Sequence, residues 1–140
     1  MDLQRREFLA GAGAAASAWA GLGAAGLARA AAALPPHLIV ADKRFAAARA
    51  FAAEAAWSTP IAWIDGDVSD LWYRTLDPMW RRAPVSIAGM TEYGAFFYIE
   101  RLAWDRGLRT TRKTEHRHDG ARLIGWRFAP KPKRVHGEFA

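Results

Sequence analysis

Beyond residue 36 the hydrophobic and polar positions change period in a regular order. His37-Leu38-Ile39-Val40-Ala41 is a short, nearly continuous apolar run of the length and composition of a buried strand. After Asp42-Lys43-Arg44 the period becomes helical. Residues 45–56 are dense in alanine and place Phe45, Ala48, Ala52 and Ala55 on one face. Ser58-Thr59-Pro60 breaks that pattern, and Ile61-Ala62-Trp63-Ile64 predicts a second strand closed by the turn Asp65-Gly66-Asp67. A second helix is predicted from Val68, with Asp67 as its N-cap, Asp70 in its first turn and Leu71, Trp72 and Leu76 turned inward. Asp77-Pro78 predicts its end or a kink, because the residue before a proline is pushed out of the α region.

Residues 84–88 predict the third strand, closed by Gly89-Met90-Thr91, with Thr91 capping a third helix. That helix carries an Ala95, Ile99, Leu102, Arg106 ladder flanked by Phe96 and Ala103, and Gly107 stands at its C′ position. From Leu108 the pattern alternates. Residues 108–116 and 121–128 flank Arg117-His118-Asp119-Gly120, and Asp-Gly is a strong two-residue turn signal, so the domain should finish in a β-hairpin. Three strand–turn–helix units in succession imply parallel strands joined by right-handed crossovers. The expected fold is therefore α/β: a small three-layer Rossmann-like sandwich of three βα units with a C-terminal antiparallel hairpin on one edge. No internal repeat is visible.

The first thirty residues stand apart from this pattern. Gln4-Arg5-Arg6-Glu7-Phe8-Leu9 resembles the twin-arginine signal pattern, the resemblance resting on Arg5, Arg6, Phe8 and Leu9. The stretch 8–28 is uncharged and close to the ~20 residues a spanning helix needs, yet it consists mostly of Ala, Gly and Ser, which bury too little apolar surface for a permanent anchor. Ala28-Arg29-Ala30 fits a small-x-small cleavage pattern, with Pro35-Pro36 soon after. The resemblance implies a cleaved leader over residues 1–30, passage through the twin-arginine machinery, and a periplasmic or secreted product without a permanent membrane span. Residues 31–129 then form a single α/β domain and residues 130–140 a basic tail.

Composition adds two constraints. Cysteine is absent, which excludes a disulfide framework, iron–sulfur ligation and thioether-attached haem, so packing alone must stabilise the domain. Seven Trp and seven Phe, of which only Trp19 and Phe8 fall in the leader, supply a large apolar load for one core. Charge is bipolar. Residues 31–105 hold seven Lys/Arg against nine acids, whereas residues 106–140 hold ten against three. A basic end attracts anionic lipid or an acidic protein surface, and the same cations also protect a strand edge against pairing. Export removes nucleic acid from the expected partners.

In folds of this type the strand carboxyl ends open onto one crevice where ligands collect. That geometry singles out Asp42 after the first strand, Asp65 and Asp67 after the second, and Gly89 and Thr91 after the third. The three aspartates are hard oxygen ligands of the kind that suit Mg²⁺ or Ca²⁺, and they are equally the residues preferred at turns and helix caps. Gly89-Met90-Thr91 could present amides to an anion, although neither G-x-G-x-x-G nor a P-loop pattern is present. His116 and His118 form an H-x-H pair, two candidate zinc or copper ligands set among arginines. No nucleophile elbow occurs. The aromatic residues Trp72, Trp80, Phe97 and Tyr98 exceed what one small core can enclose and are candidate interface positions.

These observations lead to the expectation of a non-catalytic accessory or binding protein without a cofactor, a companion subunit of a larger periplasmic redox enzyme. The alternatives are a small metal-dependent hydrolase built on Asp42, Asp65 and Asp67, and a solute-binding domain.

Overall fold

The computed structural model describes residues 34–56, 58–118 and 120–132. Arg5, Arg6, Phe8 and Leu9, expected to belong to a leader, and Asp119 and residues 133–140 lie outside the described residues. In chain order the elements are β1 (Leu38–Asp42), α1 (Ala46–Ala55), β2 (Ile61–Ile64), α2, β3 (Ile87–Glu92), α3 (Tyr93–Asp105), β4 (Leu108–His118) and β5 (Ala121–Pro130). Helix α2 is continuous but composite: Ser69–Leu71, a π-helical turn Trp72–Leu76, then Asp77–Arg82. The five strands form one mixed sheet in the order β2-β1-β3-β5-β4. β1 runs parallel to β2 and to β3, and the β4–β5 hairpin joins through antiparallel pairing of β5 with β3.

The fold is thus mixed α/β, as the alternating periods predict. Strand β1 is buried along its whole length, which is why it reads as an unbroken apolar run rather than an alternating one. Alternate strand residues feed two clusters. Leu38, Val40, Ile87, Ile124, Trp126 and Phe128 pack with Leu76 and Trp80 of α2 and with Phe96, Ile99 and Ala103 of α3. Ala41 packs instead with Ala48 and Ala52 of α1, bordered by Phe45, Ile61 and Met90. Neighbouring strand residues point to opposite sides, so Val40 and Ala41 belong to different clusters.

Two boundaries differ from expectation for identifiable reasons. Asp77-Pro78 does not end α2. The Asp77 N–H bonds to the Trp72 carbonyl, five residues back, and the wider π turn lets the proline sit at the start of the following α segment, where its missing N–H costs least. Strand β3 does not stop at Ala88. It continues through Gly89, Met90 and Thr91 to Glu92 and passes directly into α3. The end of α3 follows the sequence signal: Gly107 has φ +87° and its N–H closes on the Trp104 carbonyl. His118 pairs with Ala121 across a two-residue turn in which Gly120 has φ +78°. Among the described residues no helix is long and apolar enough to cross a membrane.

Candidate functional site

The carboxyl ends of β2, β1 and β3 lie side by side, and the chain departs from β1 in both directions there, with β2 on one side and β3 on the other. A polar cluster occupies this point. Asp42, the last residue of β1, has a fully buried side chain, and Arg44 two residues on folds back over it. The Arg44 backbone N–H and its Nε donate to Asp42 Oδ1, each at 3.0 Å, and Nη2 donates to Oδ2 at 2.7 Å. Nη2 also donates to Glu92 Oε1 at the end of β3. Asp65, after β2, stands 3.7 Å from Arg44 Nε and 3.9 Å from Lys43 Nζ. One guanidinium therefore joins the ends of all three parallel strands. Its hydrogen bond to Asp42, followed by that to Glu92, raises its pKa above the ordinary arginine value.

Gly66 completes the turn that lets this happen. It has φ +85°, and a Cβ there would lie 2.9 Å from Arg44 Nη2, so any side chain would meet the guanidinium. Asp67 then accepts the Ser69 N–H at 2.8 Å, opening α2, and that bond holds its carboxyl below the ordinary value. Beside the cluster an open cleft of about 390 Å³ runs between β2 and α2, lined by Lys43, Trp63, Asp65, Asp67, Asp70 and Arg74 among others. Its walls carry both signs of charge and one half-exposed indole.

The five residues expected in the crevice separate into two groups. Asp42, Asp65 and Asp67 do lie at the strand ends. Asp42, however, does not cap α1, whose first turn has no side-chain cap; both its oxygens are engaged by Arg44. Gly89 and Thr91 are corrected outright: they are inside β3 and face the core. A Cβ on Gly89 would meet Trp126 Cζ2 and the Val40 carbonyl oxygen, each at 2.5 Å, so this glycine makes room for the indole rather than presenting amides. Thr91 is fully buried, accepts the Trp126 Nε1–H at 3.0 Å and gives α3 no cap, Glu92 being the residue at that position. Among the described residues no group of three or more His, Cys, Asp or Glu is placed to hold a metal ion. His116 and His118 stack at 6.4 Å, with His116 Nε2 3.1 Å from Thr114 Oγ1.

The aromatic candidates also divide. Trp80 is corrected: it is 4% exposed, with its indole N–H donated to the Val85 carbonyl at 3.1 Å. Trp72 is half-buried against Trp80 and lies under Arg106. Phe97 and Tyr98 are exposed as expected, at 41% and 61%. Trp104, also exposed, extends them along the outer face of α3, and the Arg101 guanidinium sits 5.0 Å from the Phe97 ring and 5.5 Å from the Trp104 ring. Sequence reasoning missed Arg44, whose partners include Glu92 forty-eight residues away, and Trp104, although the spacing Phe97, Arg101, Trp104 is that of one helix face.

Comparison of the chain with protein-family models, with curated proteins and with solved structures finds no match.

Proposed function

We propose that this chain is a small, exported, non-catalytic accessory protein, a companion subunit of a larger periplasmic redox enzyme. The observation that carries the reading is the outward stripe of α3, where Phe97, Tyr98 and Trp104 stand exposed around Arg101. Large aromatics and arginine are the residues enriched at protein interfaces, and a cluster of them on one helix face is the signature of a docking surface. The twin-arginine resemblance at Arg5, Arg6, Phe8 and Leu9 supports export of a folded body to the periplasm, and the leader is removed there. The β2-β1-β3 order with apolar clusters on alternate strand residues supports the three-layer Rossmann-like form of the sandwich.

Native sizing of periplasmic extract tests the reading directly. The protein should run in a complex much larger than itself, and replacing Phe97 and Trp104 together with aspartate should release it. Replacing Arg5 and Arg6 with lysine should leave the precursor in the cytoplasm. A protein that runs at its own mass, or reaches the periplasm without the arginine pair, overturns the proposal.

The cleft beside Arg44 favours a second reading, a solute-binding domain, because it opens where ligands collect in folds of this order and carries an exposed indole between charges of both signs. Neither reading requires a metal, and Mg²⁺ or Ca²⁺ should leave the melting temperature unchanged. A rise on adding either ion would restore the hydrolase alternative built on Asp42, Asp65 and Asp67.

A further inference from the structure

The two edges of the sheet are not alike. β2 is four residues long, short enough to be a poor template for any incoming strand. β4 is eleven residues long, contains no proline and, among the described residues, has β5 as its only strand neighbour. Its single irregularity falls between Thr110 and Arg112, and from Arg112 to His118 the pairing with β5 is regular. Every residue of that segment except Thr114 is exposed. The outer backbone groups of such a strand are therefore open along several consecutive rungs.

Charge decides what can pair there. β4 carries Arg109, Arg112, Lys113 and Arg117 against one acid, Glu115, whose carboxylate is already bound by both Nε and Nη2 of Arg122 on β5. A second copy of this chain brings mostly like charge: antiparallel pairing about Lys113, for example, would set Lys113 against its own equivalent and Arg109 against Arg117, and like charges directly opposite destabilise a sheet. The same cations suit a segment of the opposite sign. The exposed rings of α3 adjoin this edge, with the Trp104 indole N–H donated to Thr110 Oγ1 at 3.2 Å and the Arg109 guanidinium 6.0 Å from the Trp104 ring.

We infer that the free edge of β4 accepts, by strand addition, an extended acidic segment of a partner protein. Main-chain bonds to the open rungs supply the affinity, Lys113 and Arg117 on one face of the strand select for carboxylates, and the excess of cations along β4 disfavours self-pairing. The inference deepens the companion role and rests on it for the source of the segment.

The test uses the purified full chain and a fluorescent synthetic peptide of about eight alternating Glu and Val residues, long enough to span residues 112–118. Fluorescence anisotropy should show saturable binding, and hydrogen exchange should show new protection confined to β4. The same peptide N-methylated at alternate residues keeps its charge and loses its donors, and should bind at least about tenfold more weakly. The double variant K113E/R117E, whose two positions share one face of β4, should weaken the unmodified peptide by a similar factor, and reversing the peptide to Lys and Val should restore binding to that variant. Equal binding of the N-methylated peptide overturns the inference, because attraction of charge alone would then suffice. So does displacement by anionic phospholipid vesicles with no change in β4 exchange, or concentration-dependent dimerisation of the chain protecting the same amides. Failure of the companion reading shows separately, as a protein running at its own mass in extract while the peptide still binds.

Discussion

Replacing Arg44 with methionine removes the cation that joins the three strand ends while keeping an aliphatic side chain of similar reach. Asp42, whose side chain is fully buried, loses the Nε and Nη2 donors at 3.0 and 2.7 Å and keeps only the N–H of residue 44. Stripping a buried carboxylate of its partner costs about 3–5 kcal/mol. Arg44 itself is 42% exposed, so water can enter where the guanidinium stood, and the expected cost falls to about 2–3 kcal/mol. The compact unit that holds the sheet, Pro35–Ala140, is about a hundred residues long, and for that size each kcal/mol moves Tm by about 4–8 °C. The R44M protein should therefore melt roughly 8–24 °C below the parent at neutral pH. Scanning calorimetry of R44M, D42N and the double variant supplies the check. The double variant should lose less than the sum of the two singles, because the amide no longer leaves a charge stranded. A Tm for R44M within about 3 °C of the parent, or strict additivity in the double variant, would refute the account of the crevice.

Three further outcomes follow from the fold. Gly89→Ala drives a methyl group against the Val40 carbonyl as well as the Trp126 ring; a loss of about 2 kcal/mol or more is expected in guanidinium unfolding, and an unchanged midpoint would show that the strands can part there. Gly107→Val places a β-branched residue at φ +87° in otherwise open space, so about 1–2 kcal/mol should be lost through backbone strain alone, with Gly107→Asn losing far less; equal losses would mean that φ is not the cause. Asp67→Ala removes a carboxylate whose folded pKa lies below the ordinary 3.8, so its stabilisation is present above that value and disappears as pH falls through the folded one. The variant should melt below the parent at neutral pH and draw level with it in acid below the folded pKa, and a gap that persists there would contradict the role given to the Ser69–Asp67 hydrogen bond.

Signals that are local in the chain are legible in the amino-acid sequence alone. The apolar run of β1, the alanine-rich period of α1, Gly107 after α3 and the turn ahead of Gly120 each involve residues within a turn or two of one another, and each holds. What fails depends on distant neighbours. Gly89-Met90-Thr91 has the composition of a turn, and only Trp126, brought opposite Gly89 by the β3–β5 register, makes it a strand. Asp42 has the composition of a cap, and only Arg44 reaching on to Glu92 reveals it as one end of a brace. Asp77-Pro78 reads as an end or a kink because proline rules concern the α-helix; the helix does not end there, and the π turn that lets it run on lies outside that rule. Trp80 is legible as aromatic but not as enclosed, since its depth depends on how α2 packs beneath the sheet.

Helix α1 meets the sheet through the methyl groups of Ala48 and Ala52 against Ala41, bordered by the partly buried Phe45, Ile61 and Met90, while the opposite cluster holds Trp80, Phe96, Trp126 and Phe128. Such small groups allow close approach yet gather few dispersion contacts. The two sides of the molecule should accordingly come apart at different free energies, α1 lifting away first and its amides exchanging well ahead of those in β5. That gives the protein a shutter on one side and a keel on the other, so a segment could lift off β1 without disturbing the strands beneath it.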